Sequence, residues 1–255
     1  MDTVIRKTLL YKSAVEYADF SLNHVVGCSH GCKYPCYAFL LKKRCGVVKT
    51  YEEWCEPKIV SNAIELLEEE IPKYRRKIKY VHLCFATDPF MYRQDPVCNL
   101  SLQILAKLNS HGIRCTVLTK GILPEKIGYE EGLSKDNEYG ITMVSLKETF
   151  RKEYEPNTAP YGERIKALKY LHRKGLKTWV SIEPYPPPNI IEQDLDEILN
   201  RLSFVDKIVF GKLNYNSRVS EFKNHKEYYN SLARKVATFC RKHGKAYYIK
   251  DGTRV

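Results

Sequence analysis

Short runs rich in β-branched and aromatic residues alternate with longer segments of helical periodicity along nearly the whole 255-residue chain. This alternation restricts the fold more than any other feature of the sequence. Strand candidates fall at 22–26, 80–85, 114–119, 139–145, 178–182, 207–210 and 246–249. Helix candidates fall at 59–75, 100–108, 161–173, 193–202 and 226–242, with a helical stretch of weaker pattern before residue 139. In 59–75, Ile59, Val60, Ala63, Ile64, Leu67 and Ile71 share one face with charges opposite, the pattern of a helix lying on a core. Gly175 and Gly244 close the helices at 161–173 and 226–242. Six or seven strand–helix repeats predict an α/β fold with a parallel sheet and right-handed crossovers. Chemistry in such folds sits where strands end and loops begin. The residues there are Gly27-Cys28, Thr87-Asp88, Lys120, Ser145, Glu183 and Lys212, all polar or ligand-type.

A chain of this length is expected to form one domain over 1–255 with a well-buried core. No apolar run approaches the roughly 20 residues that span a bilayer. The start, MDTVIRKTLLYK, lacks an apolar run followed by small residues, so no signal peptide is read and the expected setting is cytoplasmic. In that setting nine cysteines point to metal ligation plus a few buried thiols rather than a disulfide framework. A net charge of +12, from 42 Lys and Arg against 30 Asp and Glu, favours an anionic partner, and nucleic acid is the commonest such partner.

The segment Gly27-Cys28-Ser29-His30-Gly31-Cys32-Lys33-Tyr34-Pro35-Cys36-Tyr37-Ala38 places three cysteines in nine residues of a Gly- and Pro-containing loop. Thiolates at this spacing can converge on one soft metal centre. Three ligands on a cubane of four irons leave one iron open to chelate a substrate or cofactor. A zinc site built from Cys28, Cys32, Cys36 and a histidine such as His30 is the competing arrangement, but structural zinc usually shows CxxC pairs and the sequence has none.

This loop resembles that of radical S-adenosylmethionine (SAM) enzymes, whose usual pattern is CxxxCxxC. More narrowly it is similar to the spore photoproduct lyase-like branch, where Asn-x-x-x-Gly-Cys-x-His-x-Cys-x-Tyr-Cys-Tyr-Ala is typical. The chain reads Asn23 to Gly27, then Cys28, His30, Cys32 and Tyr34 in register, and then inserts Pro35 before Cys36-Tyr37-Ala38, giving CxxxCxxxC. Further on, Ala86-Thr87-Asp88-Pro89-Phe90, Leu118-Thr119-Lys120, Val144-Ser145 and Glu155-Pro156 with Arg164 match family segments in order, so the resemblance covers residues 17–215. It implies a partial (β/α)6-type TIM barrel, with a C-terminal helix and strand over 224–250. It also implies one [4Fe–4S] cluster on Cys28, Cys32 and Cys36, with SAM as second cofactor. Reductive cleavage of SAM would then yield a 5′-deoxyadenosyl radical, with a flavodoxin- or ferredoxin-like protein as reductant. Thr87 and Asp88 would meet the SAM ammonium, Lys120 or Ser145 the carboxylate or ribose, and Tyr37 the adenine. Glu183, in Ile182-Glu183-Pro184, would face the ribose or the substrate.

The substrate expected from the charge is a nucleic acid or nucleotide; a peptide or small metabolite, or a non-catalytic metal-binding role, are the alternatives. The strand-end Asp88, Lys120 and Ser145 speak against a purely structural metal site. Photoproduct repair is not expected. The family's cysteine hydrogen donor lies three residues before the Asp, where this chain has Phe85, and Cys84 reads as a core thiol. Cys115 and Cys240 also read as core, and Cys45 and Cys55 as free thiols rather than ligands of a second cluster. Cations interleave with aromatics at Lys42-Lys43-Arg44, at 73–79 around Tyr74, and at 234–254 with Tyr247 and Tyr248, groups suited to phosphate contact and base stacking.

Overall fold

The computed structural model describes residues 1–254 apart from Ala14 and Tyr17. The expected start of the core at Tyr17 and the end of the chain at Val255 therefore lie outside the described residues. Strands β1 (Thr3–Val4), β2 (Leu10–Lys12), β3 (Phe20–Leu22), β4 (Val25–Val26) and β5 (Lys58–Val60) enclose helices α1 (Tyr37–Arg44) and α2 (Tyr51–Trp54). Next come α3 (Ala63–Tyr74), β6 (Tyr80–Leu83), α4 (Asp95–Ser110), β7 (Arg114–Thr119), β8 (Glu138–Thr142), α5 (Glu148–Tyr154) and α6 (Tyr161–Arg173). The chain closes with β9 (Lys177–Tyr185), α7 (Leu195–Arg201), β10 (Lys207–Lys212), α8 (Ser217–Glu221), α9 (His225–Lys242) and β11 (Ala246–Ile249).

Eight strands form the main sheet in the order β11-β10-β9-β8-β7-β6-β3-β2. All neighbours pair parallel except β2, which runs antiparallel to β3. Parallel neighbours in strict chain order are the arrangement of a partial barrel, with β2 and β11 at its two edges. Glu16, in the connection from β2 to β3, reaches Lys250, just after β11, at 2.7 Å and so links the two edges. A second, three-stranded sheet, β1-β5-β4, joins the first strand to the two strands on the connection from β3 to β6.

Period-two alternation assigns the two faces of the main sheet. Leu22, Val81, Leu83, Val117, Ile141, Val180, Ile182, Ile208 and Phe210 are fully buried in the main apolar core, together with Leu105, Leu168, Leu199 and Val236 from the helices. The opposite, inward face carries the polar His82, Thr116, Thr142, Ser181 and Glu183 alongside Leu118, Trp179 and Val209, so the concave side of the sheet is a mixed chamber rather than a second apolar core.

Three expected elements differ. The strand expected at 22–26 is two strands in different sheets, because the chain turns at Asn23-His24, where Asn23 Oδ1 accepts from Ala86 N at 2.9 Å. The helix expected at 59–75 begins only at Ala63. The β-branched Ile59 and Val60 pair with β1 and β4 instead, and Asn62 pins the turn through two hydrogen bonds to the backbone of Arg6. The weak helical stretch before residue 139 is one 3₁₀ turn, Glu125–Gly128.

Candidate active site

A cavity of about 370 Å³ opens at the carboxyl ends of the parallel strands. Cys28, Cys32 and Cys36 line it from the loop after β4, and Thr87 and Asp88 from the loop after β6. Lys120 enters just after β7, Glu183 from within β9, and Lys212 and Lys250 from the ends of β10 and β11. The parallel sheet thus gathers residues more than 200 positions apart onto one rim.

Backbone contacts hold the cysteine loop. Cys28 N donates to Trp54 O at 2.7 Å, and a Cβ on Gly27 would lie 2.7 Å from that same oxygen, at a left-handed φ of +88°, so only glycine fits there. Cys36 precedes the first turn of α1, and Tyr51 Oη donates to Cys32 O. All three cysteines are half-buried. Burial pushes the Cys28 and Cys36 thiols up, and Cys32 up to about 12.

A buried charge cluster stands behind Cys32. Glu155, with no exposed surface, pairs with Lys120 Nζ at 2.9 Å and Arg164 Nη2 at 3.0 Å, and accepts from Tyr34 Oη. Lys120 Nζ also donates to Tyr34 Oη, lies 4.5 Å from the Tyr34 ring centroid and approaches Cys32 Sγ at 3.6 Å. Arg164 is tied further by Nε to Ala159 O and Nη1 to Thr142 O, both at 2.9 Å. Burial alone would raise the Glu155 carboxyl, but Lys120 and Arg164 outweigh it and hold it down to about 2. Burial likewise works against the Lys120 ammonium, and Cys32 with Glu155 overcomes it, so the lysine stays charged.

Asp88 is committed within the protein. Its Oδ1 accepts from Phe90 N at 2.9 Å and Thr119 Oγ1 at 2.6 Å, and its Oδ2 from Lys120 N at 2.7 Å, locking the ends of β6 and β7 together. Gly121 completes this contact: a Cβ there would fall 1.7 Å from Phe90 O. His30 Nε2 accepts from Tyr92 N at 3.1 Å, which leaves the ring proton on Nδ1, 3.5 Å from Asp88 Oδ2. Burial lowers His30 to about 4, so the ring is neutral near pH 7. With both nitrogens engaged away from the thiols, His30 is poorly placed as a zinc ligand. Among the described residues no three His, Cys, Asp or Glu side chains are grouped to hold a single metal ion. Three half-buried thiols spread around one cavity fit a larger soft-metal group, which takes its ligands at separate corners.

Tyr37 is 41% exposed on the cavity rim, its ring tilted 5.8 Å from that of Phe85 and its hydroxyl donating to Phe85 O. Thr87 lines the cavity, its hydroxyl 3.5 Å from Val25 O. Glu183 projects over Gly211 in β10 and lies 3.8 Å from Lys250; burial raises its carboxyl. The structure does not bring Ser145 to this cavity: it is fully buried, and its Oγ accepts from Lys147 N at 3.1 Å. Cys84 is 3% exposed, its Sγ 3.4 Å from His24 Nδ1, yet it borders the cavity. The reason is its left-handed φ of 59°, which ends the strand's alternation at Leu83.

The sequence pattern pairs Glu155 with Arg164 without showing that Glu155 also holds Lys120, and it marks no role for His82, Thr142 or Ser181 in the chamber wall. The signal for the latter was available: each sits between two fully buried apolar or core positions of its strand, or just after one.

The family model for the radical SAM superfamily matches residues 22–202, from β3 to just past α7. The uncharacterized protein ORF301 of Acidianus two-tailed virus is 26% identical over 197 residues, 72% of this chain and 61% of the viral protein, so the chain spans about three fifths of that relative. The uncharacterized protein MJ0683 of Methanocaldococcus jannaschii is 26% identical over 228 residues, 86% of this chain and 82% of its own. Spore photoproduct lyase complexed with dinucleoside spore photoproduct superimposes with a TM-score of 0.67 at 14% identity, covering 97% of this chain and 82% of that one. SuiB of Streptococcus suis bound to S-adenosylmethionine gives 0.53 at 14% identity, covering 73% and 42%. Among the described residues no helix is long and apolar enough to cross a membrane. With the family model spanning most of the parallel sheet and the cysteine loop inside the matched region, the chain belongs to the radical SAM superfamily and has the fold of spore photoproduct lyase.

Proposed function

We propose that the chain reductively cleaves SAM at one [4Fe–4S] cluster held by Cys28, Cys32 and Cys36, and acts on a nucleic acid or nucleotide. The observation that carries this reading is the convergence of three thiols and a charged lysine on one cavity at the strand ends. When bound, cluster and SAM would supply a 5′-deoxyadenosyl radical for hydrogen abstraction from the substrate, chemistry that belongs to the cofactors.

The chain's own residues bind and orient. Cys28, Cys32 and Cys36 must lose their protons to ligate, and the Lys120 ammonium 3.6 Å from Cys32 Sγ favours the thiolate. Glu155, itself anchored by Arg164, fixes that ammonium from behind, and Asp88 fixes the Lys120 backbone. Tyr37, Thr87, Asp88, Lys120 and Glu183 border the volume assigned to SAM. The nucleic-acid substrate is supported by the net charge of +12 and by the dinucleoside held in the spore photoproduct lyase complex. A flavodoxin- or ferredoxin-like protein would deliver the electron.

The test is anaerobic purification, reconstitution with iron and sulfide, reduction with dithionite and assay of 5′-deoxyadenosine after adding SAM. The parent is expected to carry about four irons per chain and to form the product, and Cys28→Ala to form none. Zinc in place of iron would overturn the proposal.

A further inference from the structure

A second concavity, of about 380 Å³, lies on the outer flank of the molecule between α9 and the edge strand β11. Its lining is Asn230, Arg234, Ala237, Arg241, Tyr247 and Arg254. Positions 230, 234, 237 and 241 fall on one face of α9 by helical periodicity. The small, buried Ala237 sits between two arginines and forms the floor, and Tyr247, 36% exposed, forms the wall from β11. Arg254 joins them from the segment after β11.

The three arginines are exposed, and among the described residues no acidic side chain lines the groove. Among the described residues none of the three forms an ion pair. The contrast lies on the same helix: Lys235, next to Arg234, pairs with Asp196 at 2.6 Å. Like charges gathered without counterions repel one another, and a polyanion removes that cost. The planar guanidinium matches phosphate oxygens in a bidentate fork, and an exposed tyrosine ring beside it offers a face on which a base can stack.

The segment that carries Arg254 is tied to a residue of the cavity rim. Thr253, adjacent to Arg254, accepts through its hydroxyl from Lys212 N at 3.3 Å, and Lys212 and Lys250 line the cavity rim. We infer that the groove binds the phosphodiester backbone of a single-stranded nucleic acid and leads the strand toward the cavity mouth. This deepens the nucleic-acid part of the proposed function. Its test involves neither SAM nor turnover, so either idea can fail while the other stands.

The experiment is fluorescence anisotropy of a labelled single-stranded oligonucleotide titrated with the purified, cluster-loaded protein at several salt concentrations. Charge reversal by Arg234→Glu with Arg241→Glu is expected to weaken binding at least about tenfold. It should also flatten the dependence of log affinity on log salt by about 1.4, two phosphate contacts at about 0.7 each for a single strand. Lys166→Glu with Arg173→Glu on α6 makes the same change of net charge elsewhere, at the same spacing, and is expected to leave the salt slope and most of the affinity in place. Both pairs lie on exposed surface, and unchanged urea midpoints confirm folding. Equal losses in the two double variants would mean diffuse charge and overturn the inference. Parent-like binding by the Arg234/Arg241 variant, or retention of the protein by phosphatidylserine vesicles and not by the oligonucleotide, would overturn it as well.

Discussion

Replacing Glu155 by Gln removes the one negative charge that serves Lys120, Arg164 and Tyr34 while keeping the side chain's size. Glu155 has no exposed surface, and its two ion pairs are 2.9 and 3.0 Å long, so solvent does not compensate. The ordinary carboxyl value is 4.5 and the folded protein holds Glu155 at about 2. That gap corresponds to about 3 kcal/mol at 1.36 kcal/mol per pH unit, in line with the roughly 3–5 kcal/mol lost when one partner of a buried pair is removed. With a urea slope of about 3 kcal/mol per molar for a chain of this size, the midpoint at pH 7 should fall by about 1 M. The folded value lies below the unfolded one, so the stabilisation is fully present above pH 4.5 and is lost as pH falls through about 2. Urea titrations of parent and Glu155→Gln from pH 7 downward should therefore converge only below pH 4.5. A midpoint at pH 7 within about 0.2 M of the parent, or a gap that closes already between pH 7 and 5, would refute the assignment of Glu155 as the charged centre of the cluster.

Two further outcomes follow from burial and close approach. Gly121→Ala forces a Cβ to within 1.7 Å of Phe90 O and must displace the loop that carries Asp88, whereas Gly162→Ala in α6 meets nothing within 4 Å. The first should cost about 3 kcal/mol or more and the second less than about 0.5 kcal/mol, measured as urea midpoints, and equal midpoints would refute the packing account. His24 and His82 are fully buried, and burial lowers each to about 3, so both are neutral in the folded protein and charge on unfolding below about pH 6.5. Their folded values lie below the unfolded ones, so stability is lost as pH falls, at up to about 1.4 kcal/mol per pH unit for each. Stability that is flat from pH 7 to 5, with the slope unchanged in His82→Gln, would contradict this.

The alternation of strand and helix patterns determined the parallel sheet and the side on which a site must lie. Strand 114–119, helix 161–173 and strand 246–249 match the elements formed, because period and breakers there agree with tertiary packing. The cysteine spacing likewise marked the loop that lines the cavity, since a ligand set drawn from nine consecutive residues is local information. The tertiary structure decided what long-range contact decides. Ile59 and Val60 join a strand because β1 and β4 are there to pair with them. Asp88 spends its oxygens on Phe90, Thr119 and Lys120 rather than facing the cavity free. Tyr34 turns to the Lys120–Glu155 pair, Ser145 turns away, and three arginines spread over 21 positions meet in one groove. The physical reason is common to all of these. A backbone period fixes which face a residue takes, but the partner of a polar side chain is chosen by whatever the fold brings within hydrogen-bonding distance, and burial makes that choice binding by penalising every group left without one.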